Sequence, residues 1–130
     1  MARPLAQPVA MPTTVPTIDR HDLDSLLDQS RPMLIDVGTS WCGPCRLLLP
    51  MLERLADETD GSLDVVKIDA ERSPELATRF GVTTIPTLLV FSGAELVARR
   101  AGKPARYREL RALVEPHLRP AEPGSAPLGG

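Results

Sequence analysis

The sequence predicts an α/β domain with a central mixed parallel/antiparallel sheet flanked by helices on both faces. Segments of strand and helix period alternate through the first half of the chain, which demands parallel crossovers. Later, "TLLVF" (Thr87 to Phe91) and "ELVARRA" (Glu95 to Ala101) flank Ser92-Gly93-Ala94 and read as an antiparallel hairpin. Helices alternating with the early strands, followed by a paired strand and a last helix, give a layered sheet domain.

In chain order, "TIDRHDLDSLLDQ" offers Asp19 as an N-cap and sets Leu23, Leu26 and Leu27 at i, i+3 and i+4, the stripe of a short amphipathic helix. "PMLIDV" is a compact apolar run that reads as a buried strand, with Asp36 as its anomaly. "RLLLPMLERLADET" puts Leu48, Leu52 and Leu55 on one helical face, widened by Leu47 and Met51, and Pro50 is expected to kink it. "LDVVKIDA" is a second strand, and "SPELATRFG" a short helix capped by Ser73, begun by Pro74 and stopped by Gly81. After the hairpin, "ARYRELRALVEPHL" repeats Leu110, Leu113, Val114 and Leu118 at helical spacing. These elements run from Thr17 to Leu118. Residues 1–16 and 119–130 are rich in Pro, Ala and Gly without periodic hydrophobicity, and are expected to form a flexible extension and a disordered tail.

A chain of 130 residues fits one domain, and with aromatics at 3% its core must be mostly Leu, Val, Ile and Ala. Net charge is -2, which supplies no basic field for nucleic acid or an anionic membrane. The start of the chain carries four prolines in its first 16 residues and no unbroken apolar stretch of signal-peptide length. No segment approaches the 18 or so apolar residues of a membrane span. A soluble, cytoplasmic monomer is the expectation. Two cysteines cannot build a multi-bridge scaffold, and His21 and His117 lie far from them in sequence, so no metal site is expected.

Both cysteines fall in "SWCGPCR". With Cys42 at the start of the helix after the first strand, its sulfur meets unpaired backbone N–H groups and the positive end of the helix dipole, which favours thiolate. Cys42 is therefore the nucleophile. Helical rise and radius set the Cα of Cys45 about 5 Å from that of Cys42, a separation that a disulfide can close. Pro44 is tolerated in a first turn and Gly43 adds no side chain, leaving Cys42 approachable and Cys45 one turn deeper. Cys42 thiolate attacks a substrate disulfide, and Cys45 then attacks Cys42 to release the reduced substrate. The second step needs a proton acceptor, and Asp36 is the candidate. Burial should raise its pKa, while Lys67 in "DVVKID" would lower it. A satisfied core acid, a surface lysine and an inert or metal-bound cysteine pair are the plainer readings of the same residues.

Taken as an ordered set, "DVGTSWCGPCR", Pro50, Lys67, "GVTTIPTLLVF" and Gly102 make the chain resemble the thioredoxin family from about Thr17 to Leu118. The resemblance implies the thioredoxin fold and a protein-disulfide reductase with no bound cofactor beyond the redox-active Cys42–Cys45 pair. It implies re-reduction by a thioredoxin reductase that uses NADPH, and disulfide-containing proteins as substrates. It also implies that Pro86 is cis and faces the cysteines, that the backbone of Ile85 pairs with a substrate peptide, and that Gly102 belongs to the same surface as Trp41, Gly43 and Pro44. The chain departs from the family at Gly38, where an aromatic is usual, and at Leu23, where Phe is usual.

Two other readings use the same motif. One is a disulfide oxidant or isomerase, disfavoured because Gly43-Pro44 resembles the dipeptide of reductants. The other is a non-catalytic binding module or chaperone docking through Trp41 and Ile85-Pro86.

Overall fold

In the computed structural model, which describes residues 15–118, the elements occur in the predicted order. They are α1 (Arg20–Leu27), β1 (Pro32–Gly38), α2 (Gly43–Glu58), β2 (Asp64–Asp69), α3 (Pro74–Arg79), β3 (Thr87–Ser92), β4 (Glu95–Ala101) and α4 (Tyr107–Val114). The extension and tail expected at residues 1–16 and 119–130 lie outside the described residues, apart from Val15 and Pro16.

The strand order is β2-β1-β3-β4. β1 and β2 are parallel, whereas β1 with β3 and β3 with β4 are antiparallel. Beyond β2, Thr17 bridges to Lys67 in parallel: Lys67 N–H donates to Pro16 O at 2.8 Å, and Ile18 N–H donates to Lys67 O at 2.8 Å. Val15 packs against the core beside them. This short pairing covers part of an edge that would otherwise present open backbone groups. So few extended residues carry no readable period, and the sequence showed Thr17 and Ile18 only as the approach to α1.

Successive side chains of a strand point to opposite faces, and β1 and β3 use this to build two cores. Leu34, Leu88 and Val90 meet Leu48, Leu52 and Leu55 of α2 and Leu110 and Val114 of α4. Met33, Ile35, Val37, Leu89 and Phe91 meet Leu23 of α1 and Leu76 of α3 on the other face. Fully burying one such side chain contributes about 1.5–3 kcal/mol. Leu47, expected to widen the apolar stripe of α2, is instead 67% exposed.

The ends of the helices refine the sequence reading. Asp19 and Asp22 form a reciprocal cap: Asp22 N–H donates to Asp19 Oδ1 at 3.0 Å, and Asp19 N–H donates to Asp22 Oδ2 at 3.3 Å. Ser73 holds the N-cap position of α3, but its side chain makes no capping bond. Asp69 Oδ1 instead accepts from Glu71 N–H at 2.9 Å in the preceding turn. α4 stops at Val114 and continues as a 3₁₀ turn, Glu115–His117, short of the Leu118 expected. Pro116 has no N–H for the carbonyl four residues earlier, so the α-pattern cannot be sustained.

Strand register gathers the functional segments at one end of the sheet. Val37 pairs with Thr87, and Thr87 pairs with Ala101. The exit of β1 toward Cys42, the Ile85-Pro86 approach to β3 and Gly102 beyond β4 therefore converge. Arg99 of β4 donates to the carbonyls of Phe80 at 2.7 Å and Gly81 at 2.8 Å, tying the end of α3, which leads into the Pro86 segment, to the sheet.

Candidate active site

Cys42 occupies the N-cap of α2, and its extended backbone turns the chain from β1 into the helix. Its sulfur accepts the backbone N–H of Cys45 at 3.2 Å. Ser or Asp commonly fills this position with an oxygen; here sulfur takes the orphan donor of the first helical turn. That contact, with the helix dipole behind it, stabilises negative charge on Cys42. The two cysteines are joined as a disulfide with Cα atoms 5.2 Å apart, as helical geometry required.

Their exposures correct one expectation. Cys45 was expected to be the deeper of the two, yet Cys42 is 6% exposed and Cys45 8%. The sulfurs differ in their surroundings. Trp41, Gly43 and Pro44 are exposed around Cys42, with Trp41 63% open to solvent. Cys45 lines a cavity of about 270 Å³ with Asp36, Gly38, Thr39, Lys67 and Leu49.

Asp36 is 2% exposed, and its Oδ1 is buried with no hydrogen-bond partner. Burial raises its pKa from the usual carboxylate range to about 7, against the opposing pull of Lys67, its cross-strand neighbour. Desolvation thus wins the contest that residue types alone left open. A carboxyl poised near neutrality accepts and returns a proton readily.

Gly38 sets how closely these groups meet. A Cβ added there would lie 2.7 Å from Cys45 Sγ and 3.8 Å from Asp36 Oδ1. No side chain fits between β1 and Cys45 unless the sulfur moves.

At the convergent strand ends, the Ile85-Pro86 peptide is cis. Gly102 N–H donates to Pro86 O at 2.7 Å, with Gly102 at φ +90°, a conformation that favours glycine. Pro86 is buried, and Ile85 and Gly102 are half-buried. The structure thus brings Cys45, Asp36 and Lys67 to one cavity with Cys42 bonded to Cys45, and strand register sets Ile85, Pro86 and Gly102 at the same end of the sheet as the turn that carries the exposed Trp41, Gly43 and Pro44. The Thr39 hydroxyl, buried without a hydrogen-bond partner, and the Arg99 clamp were not found by sequence reasoning; neither residue type is unusual in its local context.

The thioredoxin family model matches residues 14–115. The chain is 40% identical over 92 residues to thioredoxin from Mycobacterium tuberculosis, covering 68% of this chain and 79% of that one. It is 39% identical over 95 residues to the bifunctional thioredoxin reductase/thioredoxin of Mycobacterium leprae, spanning 72% of this chain but only 21% of that longer protein. The structure is similar to a mutant thioredoxin from Halobacterium salinarum NRC-1, with a TM-score of 0.75, 32% identity, and coverage of 87% of this chain and 98% of that one. With a closed Cys-Gly-Pro-Cys pair at the head of a helix in this fold, the chain belongs to the thioredoxin family and is a thiol–disulfide oxidoreductase of the protein-disulfide reductase type.

Proposed function

We propose that Cys42 attacks substrate disulfides, that Cys45 resolves the mixed disulfide, and that Asp36 accepts the Cys45 proton. The observation that carries this assignment is the asymmetry around the pair. Cys42 Sγ receives the helix N–H that stabilises a thiolate, while Cys45 shares its cavity with the carboxyl whose pKa is about 7. In the first exchange the Cys42 thiolate bonds to one substrate sulfur and expels the other. Asp36 then takes the Cys45 proton, Cys45 bonds to Cys42, and the reduced substrate leaves. Lys67 holds Asp36 within reach of ionisation by opposing the desolvation of its carboxylate. Trp41, Gly43, Pro44, Ile85, Pro86 and Gly102 form the surface on which a substrate peptide lies.

The same reading gives the chain no bound cofactor and draws electrons from NADPH through a thioredoxin reductase. A relative that unites both activities in its name, the bifunctional Mycobacterium leprae protein, supports that pairing. A dithiol that must stay reduced fits the cytoplasm. A site assembled within one chain fits a monomer.

The Cys45→Ser variant tests the roles directly. It is expected to capture protein substrates as mixed disulfides on Cys42 that dithiothreitol releases. Equal capture by the Cys42→Ser, Cys45→Ser double variant would show a binding module instead. For Asp36, the rate of substrate release is expected to rise with pH through about 7 in the native chain and to lose that inflection in Asp36→Asn. A flat profile in the native chain would remove Asp36 from the mechanism.

A further inference from the structure

Between the end of α3 and the start of β3, residues 81–86 belong to no helix or strand. This segment brings Ile85 and Pro86 to the convergent strand ends, so whatever fixes it also fixes the backbone that Ile85 offers. α3 is a weak anchor for it: the helix has six residues, one buried side chain, Leu76, and no side-chain bond at its N-cap. Gly81, at φ +66°, turns the chain off the helix, and Val82 N–H donates to Ala77 O at 2.9 Å. The carbonyls of Phe80 and Gly81 remain as orphan acceptors of a helix end. Arg99 satisfies both, Nη1 donating to Phe80 O at 2.7 Å and Nη2 to Gly81 O at 2.8 Å. The Phe80 ring meets Phe91 of β3 edge-on, with ring centres 5.4 Å apart. At the other end of the segment, Gly102 N–H donates to Pro86 O and the Thr87 hydroxyl to Thr84 O. Among the described residues no hydrogen bond reaches the backbone of Ile85, so its place is set from the two ends.

We propose that Arg99 is a positioning residue for protein substrates: by spanning the Phe80 and Gly81 carbonyls it fixes the Ile85-Pro86 backbone against the sheet, and so sets how tightly a substrate peptide pairs there. The inference rests on the substrate surface proposed above. Arg99 lies opposite Leu89 in β4, two residues along from the Thr87–Ala101 pair, and the same strand leads into Gly102. One strand thus grips both ends of the segment, by the Arg99 side chain at its head and by the Gly102 N–H at its tail. A planar guanidinium suits this task, because its rigid fork reaches two carbonyls at once, where an ammonium is a single point of charge. Bonds from a charged donor are also stronger than neutral ones. A segment ordered before binding loses less freedom when a peptide docks on it. Neither of the two bonds reaches the sulfurs or Asp36, so the clamp acts on binding and not on exchange.

The test compares the full reduced chain with its Arg99→Ala variant on two disulfides: insulin, which offers a peptide backbone to pair with Ile85, and 5,5′-dithiobis(2-nitrobenzoate), which carries no peptide. Arg99→Ala is expected to raise KM for insulin about fivefold with kcat changed by less than about twofold. Its rate on the small disulfide should also stay within about twofold of native. Arg99→Lys, which keeps the charge and loses the fork, should have an insulin KM closer to that of Arg99→Ala than to native. Equal slowing on both disulfides would mean that Arg99 only supports the fold, and overturns the proposal. A fall in kcat at unchanged KM, or a native KM in Arg99→Lys, overturns it too. Trp41→Ala, which removes part of the exposed surface itself, separates the two readings. An insulin KM that rises in Trp41→Ala but not in Arg99→Ala overturns the positioning role and keeps the surface. A KM unchanged in both variants overturns both.

Discussion

Leu34 and Asp36 lie two residues apart on the same face of β1, and both are buried, yet their surroundings are opposite. Leu34 sits among Leu48, Leu52, Leu55, Leu88 and Leu110, where close packing of like with like makes burial favourable. Asp36 stands at the end of the strand beside a cavity, with one carboxyl oxygen unpartnered. The middle of the sheet supplies stability. Its end holds an acid whose ionisation opposes folding, and the same desolvation tunes that acid for proton transfer near neutral pH.

Substitutions separate these two regions, beginning with the largest expected effect. Cys42→Ser should cut reduction of a model protein disulfide by about a thousandfold or more while leaving the denaturation midpoint of the reduced chain nearly unchanged. A comparable loss of stability would mean that the site end also carries the fold. Leu52→Ala, in the middle region, should destabilise by about 2–5 kcal/mol in urea titrations, with an unaltered pH dependence. A cost under about 1 kcal/mol would show that the α2 face is less tightly packed than its burial implies.

Asp36→Asn should act in the opposite direction. Between about pH 4 and 7 the native carboxyl, with a pKa of about 7 against 3.8 when unperturbed, is mostly protonated in the folded chain while the unfolded chain ionises. Its contribution to stability is therefore full below about pH 4 and is lost as pH rises through about 7. Three pKa units correspond to about 4 kcal/mol, the upper bound for the gain of the Asn variant at about pH 8. Denaturation of both oxidised chains across this window checks the sign. A variant less stable than native at every pH would mean that Asp36 is a satisfied structural group. The smallest effect belongs to Asp19→Ala, which removes one half of the α1 cap. It should cost about 0.5–2 kcal/mol with turnover unchanged.

Much of this division was legible in the sequence, for local reasons. Cys42, Cys45 and the turn between them are set by helical geometry over four residues, and Asp36 stood out because an acid interrupts an apolar run. Element order followed from periodicity and from Pro, Gly and Asp at the ends. What escaped depends on residues distant in sequence. The near-equal shielding of the two sulfurs, the cavity shared by Gly38, Leu49 and Lys67, and the Arg99 clamp on Phe80 and Gly81 arise only when separate strands and helices meet. Ser73 misled because its residue type suits a cap, while Asp69 four positions earlier supplies the bond in the turn.

The central claim is that the Cys42–Cys45 pair is built to give electrons away. Its reduction potential, measured by equilibration against glutathione or dithiothreitol buffers and followed by the fluorescence of Trp41, the only tryptophan, tests this directly. A potential well below the cytosolic glutathione poise is the predicted result. A potential at or above that poise would contradict the account and mark the chain as an oxidant or isomerase on the same fold.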